Sequence, residues 1–401
     1  MTAASEALAA NQEPFRLSML LYDKRYRSYF LQVVTLIIFM LVVAWLVDNV
    51  ISNLAALGKE FSFRFLWDPA SYDINQRLIE YNSRSPHWRA ALVGILNTLL
   101  IAFLGCILAT ILGVMIGIAR LSKNWLVSKL MTVYIEAMRN VPVLLWILLA
   151  STIFSSALPS PRQAPTLLGG ALVPTNRGFY IPSPTWGDGS VALAVVFVLS
   201  IIAMFVFRKW AKTKQAATGQ ILPVFWITLG ILIIPTLLAF FILGRPVGLE
   251  FPELKGFNFS GGLYIRSSFM ALWLALSLYT AAFIAENVRA GIQAISNGQS
   301  EAAYSLGLPP TRTMNLVILP QALRIIIPPL ISQYLNLTKN SSLAIAVGYM
   351  DVTGTLGGIT LNQTGKEMEC LLLLMAFYLI VSLLISGVMN VYNNAVSLKE
   401  R

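Results

Sequence analysis

The strongest constraint on the fold is a series of long apolar segments that recur along the chain. Several of them approach or exceed the ~20 residues that a helix needs to cross the hydrocarbon core of a bilayer. Charged residues make up 12% of the 401 residues, whereas an ordinary soluble domain has about 25%. The segments are continuously apolar rather than alternating, which excludes a closed barrel, because in lipid each helix must satisfy its own backbone. The sequence therefore predicts an all-α membrane protein rather than a large soluble protein with an apolar core.

Eight transmembrane helices are predicted from these segments. They cover residues 29–50, 91–119, 133–157, 190–207, 221–243, 267–288, 325–349 and 370–392. Lys24, Arg25 and Arg27 precede the first helix, and the loops after the second and fourth helices carry basic residues without acidic ones. Because cytoplasmic loops are enriched in Lys and Arg, both termini are expected to be cytoplasmic. The first apolar segment is too long for a cleaved signal peptide and is expected to remain as a span.

The charged and reactive residues exclude several function classes. The net charge of +11 comes from basic residues that flank apolar segments and form no dense stripe, so nucleic acid is not expected as a partner. The chain has one histidine, His87, and two distant cysteines, Cys106 and Cys370. A histidine-based metal site or catalytic triad is therefore not expected, and the cysteines indicate no disulfide framework.

The loop after the sixth predicted helix, residues 286–325, differs from every other loop because it is long, semi-polar and dense in helix signals. Asn297-Gly298 marks a turn. Ser296 with Gln299 predicts a capping box at the start of a short helix. Gly307 is expected to end this helix in a left-handed conformation.

A second short helix is predicted beyond Pro309-Pro310, because these prolines force a new direction. Thr311 is expected to cap this helix, which runs through Ile318, and Pro320 is expected to break the path again. Two short helices that meet at a sharp bend fit the groove of a partner protein. They fit equally well as a hairpin on the protein's own surface, and helix geometry alone leaves both interpretations open.

Residues of this loop carry a family resemblance. Those that carry it are Glu301, Ala302, Ala303, Gly307, Leu319 and Pro320. Their order and spacing resemble the EAA loop of ABC importer permeases, with Val317 in place of the isoleucine of the family pattern. Further positions resemble the polar amino-acid branch of that family: Gln299, Gln321-Ala322, residues 339–343, Tyr134-Ile135-Glu136 with Arg139, Val141 and Pro142, and Asn97-Thr98.

The resemblance also implies a division of the chain, with a five-helix core and additions that supply three further spans. The core consists of residues 89–157 and 265–395, with the loop 286–325 inside its second part; the additions are residues 1–88 and 158–264; and residues 396–401 form a cytoplasmic tail. This layout resembles the general L-amino-acid permease subgroup.

In such a family the chain would be one membrane subunit of a four-part importer in the bacterial inner membrane. The resemblance implies polar or general L-amino acids as substrates. The implied partners are an extracytoplasmic amino-acid-binding protein, a second permease subunit that is a homologue, a pair of ATP-binding cassette ATPases, and membrane lipid. The chain lacks a G-x-x-x-x-G-K-[ST] phosphate loop. ATP and Mg²⁺ are therefore expected on the ATPases, and this chain is expected to hold no cofactor and to be no enzyme.

The EAA-like loop would then contact the ATPase and transmit its movement to the attached spans. The residues expected to couple the two subunits are Gln299, Glu301, Ala302, Ala303, Gly307, Leu319 and Pro320.

Inserting an ionisable side chain at the bilayer centre costs about 2.5–3.5 kcal/mol. The ionisable residues inside the predicted spans are therefore expected to have a structural or functional role. Glu136 with Arg139, and Glu286 with Arg289, are spaced i, i+3, so each pair either forms a local salt bridge or lines the permeation path. Lys339 extends to the interface, pairs with Glu136 or Asp351, or meets a substrate carboxylate. The residues predicted to line the path are Asn97, Thr98, Glu136, Arg139, Glu286, Lys339, Asn340, Ser341 and Ser342.

Two other function classes remain open. A secondary transporter or channel fits eight spans, but such proteins commonly contain internal repeats with paired broken helices, and no duplication is evident. A membrane-embedded enzyme would need a nucleophile motif or a metal-ligand cluster, which the sequence does not show. Copurification of an ATPase and a second permease would support the importer, whereas ATP-independent transport by this chain alone would support the secondary transporter.

Overall fold

The computed structural model describes residues 24–56, 58 and 60–396. The termini that are expected to be cytoplasmic, residues 1–23 and 397–401, lie outside these ranges. The described residues divide into two compact units. One contains the described residues up to Leu66 together with Lys366–Glu369, and the other contains Trp67–Gly365 with the described residues from Cys370 onward.

Helices dominate the described residues, which confirms the predicted all-α membrane fold. The α-helices are α1 Lys24–Ala56, α2 His87–Arg120, α3 Trp125–Asn140, α4 Val143–Ser156, α5 Ser190–Thr218, α6 Val224–Ile242, α7 Ser267–Gln293, α8 Asn297–Ser305, α9 Pro310–Thr313, α10 Leu319–Asn340, α11 Leu361–Thr364 and α12 Glu367–Val396. Met314–Ile318 and Thr353–Thr360 have π-helical bonding. The 3₁₀ helices are Arg64–Trp67, Pro161–Gln163, Leu168–Gly170 and Ser341–Val347.

Seven helical segments of the described residues are long and apolar enough to cross a membrane. They are Tyr26–Ala56, His87–Arg120, Ser190–Thr218, Val224–Ile242, Ser267–Gln293, Pro310–Val347 and Glu367–Asn393. The bent pair of α3 and α4 adds an eighth if it forms one broken span. These segments match all the predicted spans except the third.

The third predicted span, residues 133–157, is wrong as a single helix. α3 ends at Asn140, α4 begins at Val143, and the two helices are bent by 106°. Val141 is extended, with φ −109° and ψ 133°, because the ring of Pro142 disfavours the α conformation in the preceding residue. Pro142 also has no N–H with which to continue the bonding of α3.

α7 is the central helix of its unit. Of an 18-residue apolar stretch of α7, 61% is buried, compared with 6% of the corresponding stretches of α5, α6 and α12. It packs against α2, α3, α4 and α10. Buried side chains of this core include Ile101, Leu272, Leu276, Ile284, Ile326 and Leu337. Lipid tails are as apolar as these side chains, so the helices associate through close packing rather than through hydrophobic burial.

Glycines on α2 allow α7 to approach closely. A Cβ atom added to Gly113 would lie 2.6 Å from Cβ of Ile284, and one added to Gly117 would lie 2.7 Å from the carbonyl oxygen of Ala285. Real Cβ atoms do not tolerate such distances, because they fall well inside van der Waals contact. The two backbones therefore pack at a separation that only glycine permits.

Residues 158–264 contain α5 and α6, which pack mainly against each other. The chain on either side of this helical pair forms short strands. These are β1 Val173–Thr175, β2 Gly178–Ile181, β3 Ser183–Trp186, β4 Val247–Glu250, β5 Glu253–Lys255, β6 Asn258–Ser260 and β7 Leu263–Arg266. All pairings are antiparallel, in the orders β1-β2-β7, β3-β4 and β5-β6. The apolar segments predict none of these strands.

The other unit contains α1, whose large apolar side chains are exposed around the helix. A helix that is apolar on all sides is typical of a membrane span. Within the same unit, the backbone N–H of Ser62 donates to Oε1 of Glu369 at 2.9 Å. Nζ of Lys366 lies 3.6 Å from the same oxygen.

Gly113→Ala should destabilise the protein, because its Cβ would force α2 and α7 apart, and overpacking of this kind costs about 1–3 kcal/mol. We expect a lower unfolding temperature in lipid nanodiscs. The matched control is Gly387→Ala on α12, where an added Cβ meets nothing within 4 Å. Equal unfolding temperatures for the two variants would contradict the close contact between α2 and α7.

Candidate functional site

The loop between α7 and α10 contains a compact helical turn that ends as predicted. α8 runs from Asn297 to Ser305, and Gly307 has φ +76°, which confirms the predicted left-handed conformation. The N–H of Leu308 donates to the carbonyl of Ala303 at 3.1 Å, and the N–H of Gly307 donates to that of Tyr304 at 2.9 Å. These two bonds form a Schellman motif, which satisfies the last carbonyls of the helix.

The predicted capping box at the start of α8 is wrong. Ser296 precedes the helix but makes no side-chain cap bond. The side chain of Gln299 instead accepts a hydrogen bond from Nε2 of Gln321 at 3.2 Å, and the same Nε2 donates to the carbonyl of Val317 at 3.0 Å. The amide of Gln299 is therefore used to join α8 to α10 rather than to close its own helix end.

The predicted second short helix is also wrong, because no break separates it from the following span. α9 begins at Pro310 in its first turn, where a proline is favoured, and Thr311 does not cap it. The N–H of Leu319 donates to the carbonyl of Met314, one residue further back than in an α-helix. This π turn leads into α10 with Pro320 in the first turn, where its missing N–H is tolerated.

The resulting helical run, Pro310–Val347, is continuous from the bend into the span. We call residues 297–319 the coupling segment, because they include the residues predicted from the sequence to contact an ATPase. Within it Glu301 and Ala302 are exposed, whereas Ala303 is buried. Large apolar side chains face outward: Leu306 is 80% exposed and Leu316 is 65% exposed. Apolar exposure on a segment that is otherwise polar is typical of a surface that contacts another protein.

Glu286 lies at the centre of an ion-pair network between α2 and α7. Arg289 donates through Nε to its carboxylate at 3.2 Å, which confirms the predicted local pair. Arg120, at the end of α2, forms a second ion pair with the same carboxylate. The sequence did not indicate Arg120 as a partner, because it lies on another helix. Glu286 therefore ties two spans together.

The predicted ion pair of Glu136 with Arg139 is wrong. The guanidinium of Arg139 lies 5.4 Å from the ring centroid of Phe283 on α7, which is a cation–π contact. The carboxylate of Glu136 accepts a hydrogen bond from Nδ2 of Asn140 at 3.2 Å. The i, i+3 spacing permits a salt bridge, but the ring on α7 provides Arg139 with another partner.

Asn97 and Thr98 hold the segment that follows α10. Asn97 is fully buried, and its Nδ2 donates to the carbonyl of Met350 and to that of Gln76, both at 2.8 Å. The hydroxyl oxygen of Thr98 accepts from the N–H of Val352 at 3.0 Å. Both side chains lie in the first half of α2 and are bonded to backbone groups of other segments.

The polar residues at the end of α10 do not form the ion pairs that the sequence left open for Lys339. Lys339 is exposed and forms no ion pair with Glu136 or Asp351. The hydroxyls of Ser341 and Ser342 donate to carbonyls three residues back, at 2.7 and 2.8 Å. Asn340 is half-buried at the end of the helix.

Asp351 is a fully buried carboxylate that the sequence indicated only as a possible partner of Lys339. Its Oδ1 accepts from the N–H of Gly354 at 2.8 Å, and the hydroxyl of Tyr378 donates to its Oδ2 at 3.5 Å. Asp351 therefore fixes the start of the π-helical stretch Thr353–Thr360. Burial raises the pKa of Asp351 from 3.8 to about 6.

The π-helical stretch also borders a cavity of about 440 Å³. Its lining includes Tyr349, Met350, Gly354, Gly358, Asn362 and Gln363. None of the residues predicted for the substrate path lines it, and its lining residues carry no charge. From the other side, the hydroxyl oxygen of Tyr72 lies 3.1 Å from that of Thr360, so residues preceding α2 also hold this stretch.

Comparison with known proteins gives consistent matches. Residues 216–398 match the family model described as binding-protein-dependent transport system inner membrane component. The chain is 52% identical to the glutamate/glutamine/aspartate/asparagine transport system permease protein BztB of Rhodobacter capsulatus, over 96% of this chain and 97% of that protein. It is 46% identical to the general L-amino acid transport system permease protein AapQ of Rhizobium johnstonii, over 96% of both chains. It is 45% identical to YhdX of Escherichia coli, a putative amino-acid ABC transporter permease, over 94% of this chain and 95% of that protein.

The raised pKa of Asp351 predicts a specific pH dependence. The folded form binds the proton more readily than the unfolded form, so the stabilisation from the neutral carboxyl is complete below pH 3.8 and is lost as the pH rises to about 6. Asp351→Asn keeps the group neutral. Its unfolding temperature should exceed that of the wild type at neutral pH, by the equivalent of up to about 3 kcal/mol.

Thermal unfolding in nanodiscs at about pH 4 and pH 7.5 checks this, with exposed Asp73→Asn as the control for loss of a carboxylate. The advantage of Asp351→Asn should vanish at the lower pH. An advantage that is the same at both values would rule out titration of Asp351 as its cause.

Proposed function

The chain belongs to the family of binding-protein-dependent transport system inner membrane components, as a permease subunit of an amino-acid ABC transporter, and from this premise we propose how ATP hydrolysis is coupled to import. Its relatives match it along almost their whole length. The coupling segment docks on a separate ATPase, and movement of the docked α8 is transmitted to the spans on either side of it.

One observation carries this proposal: the coupling segment is exposed, capped and continuous with a span. The helical run from Pro310 to Val347 contains no loop that could absorb a displacement. The bond between Gln299 and Gln321 and the burial of Ala303 hold α8 against this run. A displacement of α8 therefore moves α10 as one body, which is what alternating access to the two sides of the membrane needs.

The ATPase surface would meet Glu301, Ala302 and the exposed Leu306. Glu301 lies at the middle of α8 and is exposed, so its carboxylate can contact a basic residue of the ATPase. ATP and Mg²⁺ bind the ATPase pair, and this chain holds no cofactor. Gly307 sets the direction of the chain between α8 and α9, and Leu319 and Pro320 begin the span that moves.

We further propose that the remaining partners are a homologous second permease and an extracytoplasmic amino-acid-binding protein. The substrates are polar amino acids, because the named substrates of one relative are glutamate, glutamine, aspartate and asparagine, and another relative is a general L-amino acid permease. The complex lies in the inner membrane. If α3 and α4 form one broken span, the chain crosses eight times and both termini are cytoplasmic.

The substrate path is proposed to involve the ionisable and polar residues of the spans. Lys339 is the best placed to meet a substrate carboxylate, because its ammonium is exposed and has no ion pair among the described residues. Asn340, Ser341 and Ser342 continue the polar surface next to it. Glu136, Arg139 and Glu286 supply charge further along the path, and Asn97 and Thr98 shape its outer part through their bonds to backbone.

Gly307→Val should abolish ATP-coupled uptake while leaving membrane insertion intact. An added Cβ meets nothing within 4 Å of Gly307, so the effect comes from a φ of +76° that a β-branched residue does not tolerate. We expect uptake in proteoliposomes containing the assembled importer to fall at least about tenfold, since the strain is ~1–2 kcal/mol or more.

The control is Gly307→Asn, because asparagine adopts the left-handed conformation more readily. This variant should retain much of the uptake and of the ATPase stimulation. Normal ATP-coupled uptake by Gly307→Val would exclude the docking role, and uptake without ATP by this chain alone would favour a secondary transporter.

Lys339→Met tests the proposed path. If the ammonium meets the substrate carboxylate, KM for uptake should rise about tenfold or more, because hydrogen bonds to charged groups contribute about 1.5–3 kcal/mol. Lys255→Met, at an exposed strand position, serves as the control. Unchanged affinity and rate in Lys339→Met would remove this residue from the path.

A further inference from the structure

The C-terminal part of α5 carries a cluster of cations that the coupling mechanism does not use. Arg208, Lys209 and Lys212 are exposed, and Lys214 is half-buried. No acidic residue occurs between Asp188 and Glu250 in the sequence. Those two residues lie beyond the opposite ends of α5 and α6, so the cluster has no acidic neighbour along this part of the chain.

Three of these cations are uncompensated and share one side of the helix. Arg208, Lys209 and Lys212 are spaced i, i+1 and i+4, which places them within an arc of about 100°. None of the three forms an ion pair with any described residue. Lys214 differs, because its Nζ lies 5.0 Å from the ring centroid of Trp210 and faces that indole.

The position of the cluster along α5 places it at the depth of lipid headgroups. The residues from Ser190 to Phe207 carry no charge, and at about 1.5 Å per residue they span ~27 Å. This length is close to the ~30 Å of the hydrocarbon core. Arg208 is the first residue beyond it, and Lys212 lies only ~6 Å further. The cations thus stand within the headgroup layer rather than far out in the aqueous phase.

The surroundings of the cluster are open to lipid. α5 packs mainly against α6, and immediately before the cluster Phe205 is 60% exposed and Val206 is 62% exposed. Trp210 is 50% exposed, and tryptophan is enriched at the membrane–water interface. An apolar surface, an interfacial indole and three uncompensated cations therefore follow one another along the helix.

We propose that Arg208, Lys209 and Lys212 bind the headgroup of an anionic phospholipid in the leaflet reached by the C-terminal end of α5. The guanidinium and the two ammonium groups donate to the phosphate oxygens of the lipid, and the acyl chains lie along the exposed apolar side of α5 and α6. An acidic surface of a partner protein offers the same charge. The lipid is favoured because the cations directly adjoin the apolar segment.

The test compares lipid binding by the assembled importer and by its Arg208→Gln/Lys212→Gln variant. The complex is purified in neutral detergent, titrated with phosphatidylglycerol or with phosphatidylcholine of the same acyl chains, and examined by native mass spectrometry. Wild type should bind phosphatidylglycerol more tightly. The variant should lose about 30-fold in that affinity, the equivalent of ~2 kcal/mol for two cations, with phosphatidylcholine binding unchanged.

The matched control is Lys123→Gln/Lys129→Gln, which removes two exposed cations from the segment between α2 and the end of α3. It should retain the affinity for phosphatidylglycerol. Equal losses in both variants would show general attraction of anions and would overturn the site. Unchanged lipid binding with reduced copurification of the ATPase would also overturn it, in favour of a protein partner.

Discussion

The contact between α2 and α7 supports most of the larger unit. In lipid, two apolar helices gain little free energy from hydrophobic burial when they associate. Their association therefore depends on how closely the two backbones can pack. Gly113 and Gly117 allow that separation, and Glu286 adds ion pairs with Arg120 and Arg289 at the same end of the interface. α7 then presents its remaining surface to α3, α4 and α10. Asn97 and Thr98 lie on α2, and Arg139 of α3 contacts the ring of Phe283 on α7.

The parts of the fold that sequence reasoning predicted are those decided by local chemistry. Apolar length identifies the spans, because the bilayer thickness is fixed. The left-handed conformation of Gly307 follows from a short helix that ends before two prolines. Pro142 is an equally local signal for the bend between α3 and α4. The apolar residues on both sides of it together have the length of one span, however, and a single helix was therefore predicted.

The features that sequence reasoning missed depend on residues far apart in the chain. Arg120 and Glu286 share an ion pair across 166 positions, and no spacing rule relates them. β2 pairs with β7, although α5 and α6 lie between the two strands in the sequence. Pro320 was predicted to break the helical path. A proline in the first turn is compatible with a helix, however, and the π turn before it lets the helix continue into α10. The polar residues at the end of α10 were predicted to line the permeation path, but the bonds of their hydroxyls to the backbone cannot be inferred from composition.

The strand that precedes α7 has a mechanical consequence. β7 ends at Arg266 and α7 begins at Ser267, with no residue between them. The N–H of Ser267 and the hydroxyl of Tyr264 both donate to the carbonyl of Arg177, in the turn between β1 and β2. At its other end, α7 is separated from α8 by only three residues. A displacement of the small sheet is therefore transmitted directly to α7, and the same helix ends three residues before the exposed segment that we propose contacts the ATPase. The single helix α7 therefore connects the small sheet with the segment proposed to contact the ATPase.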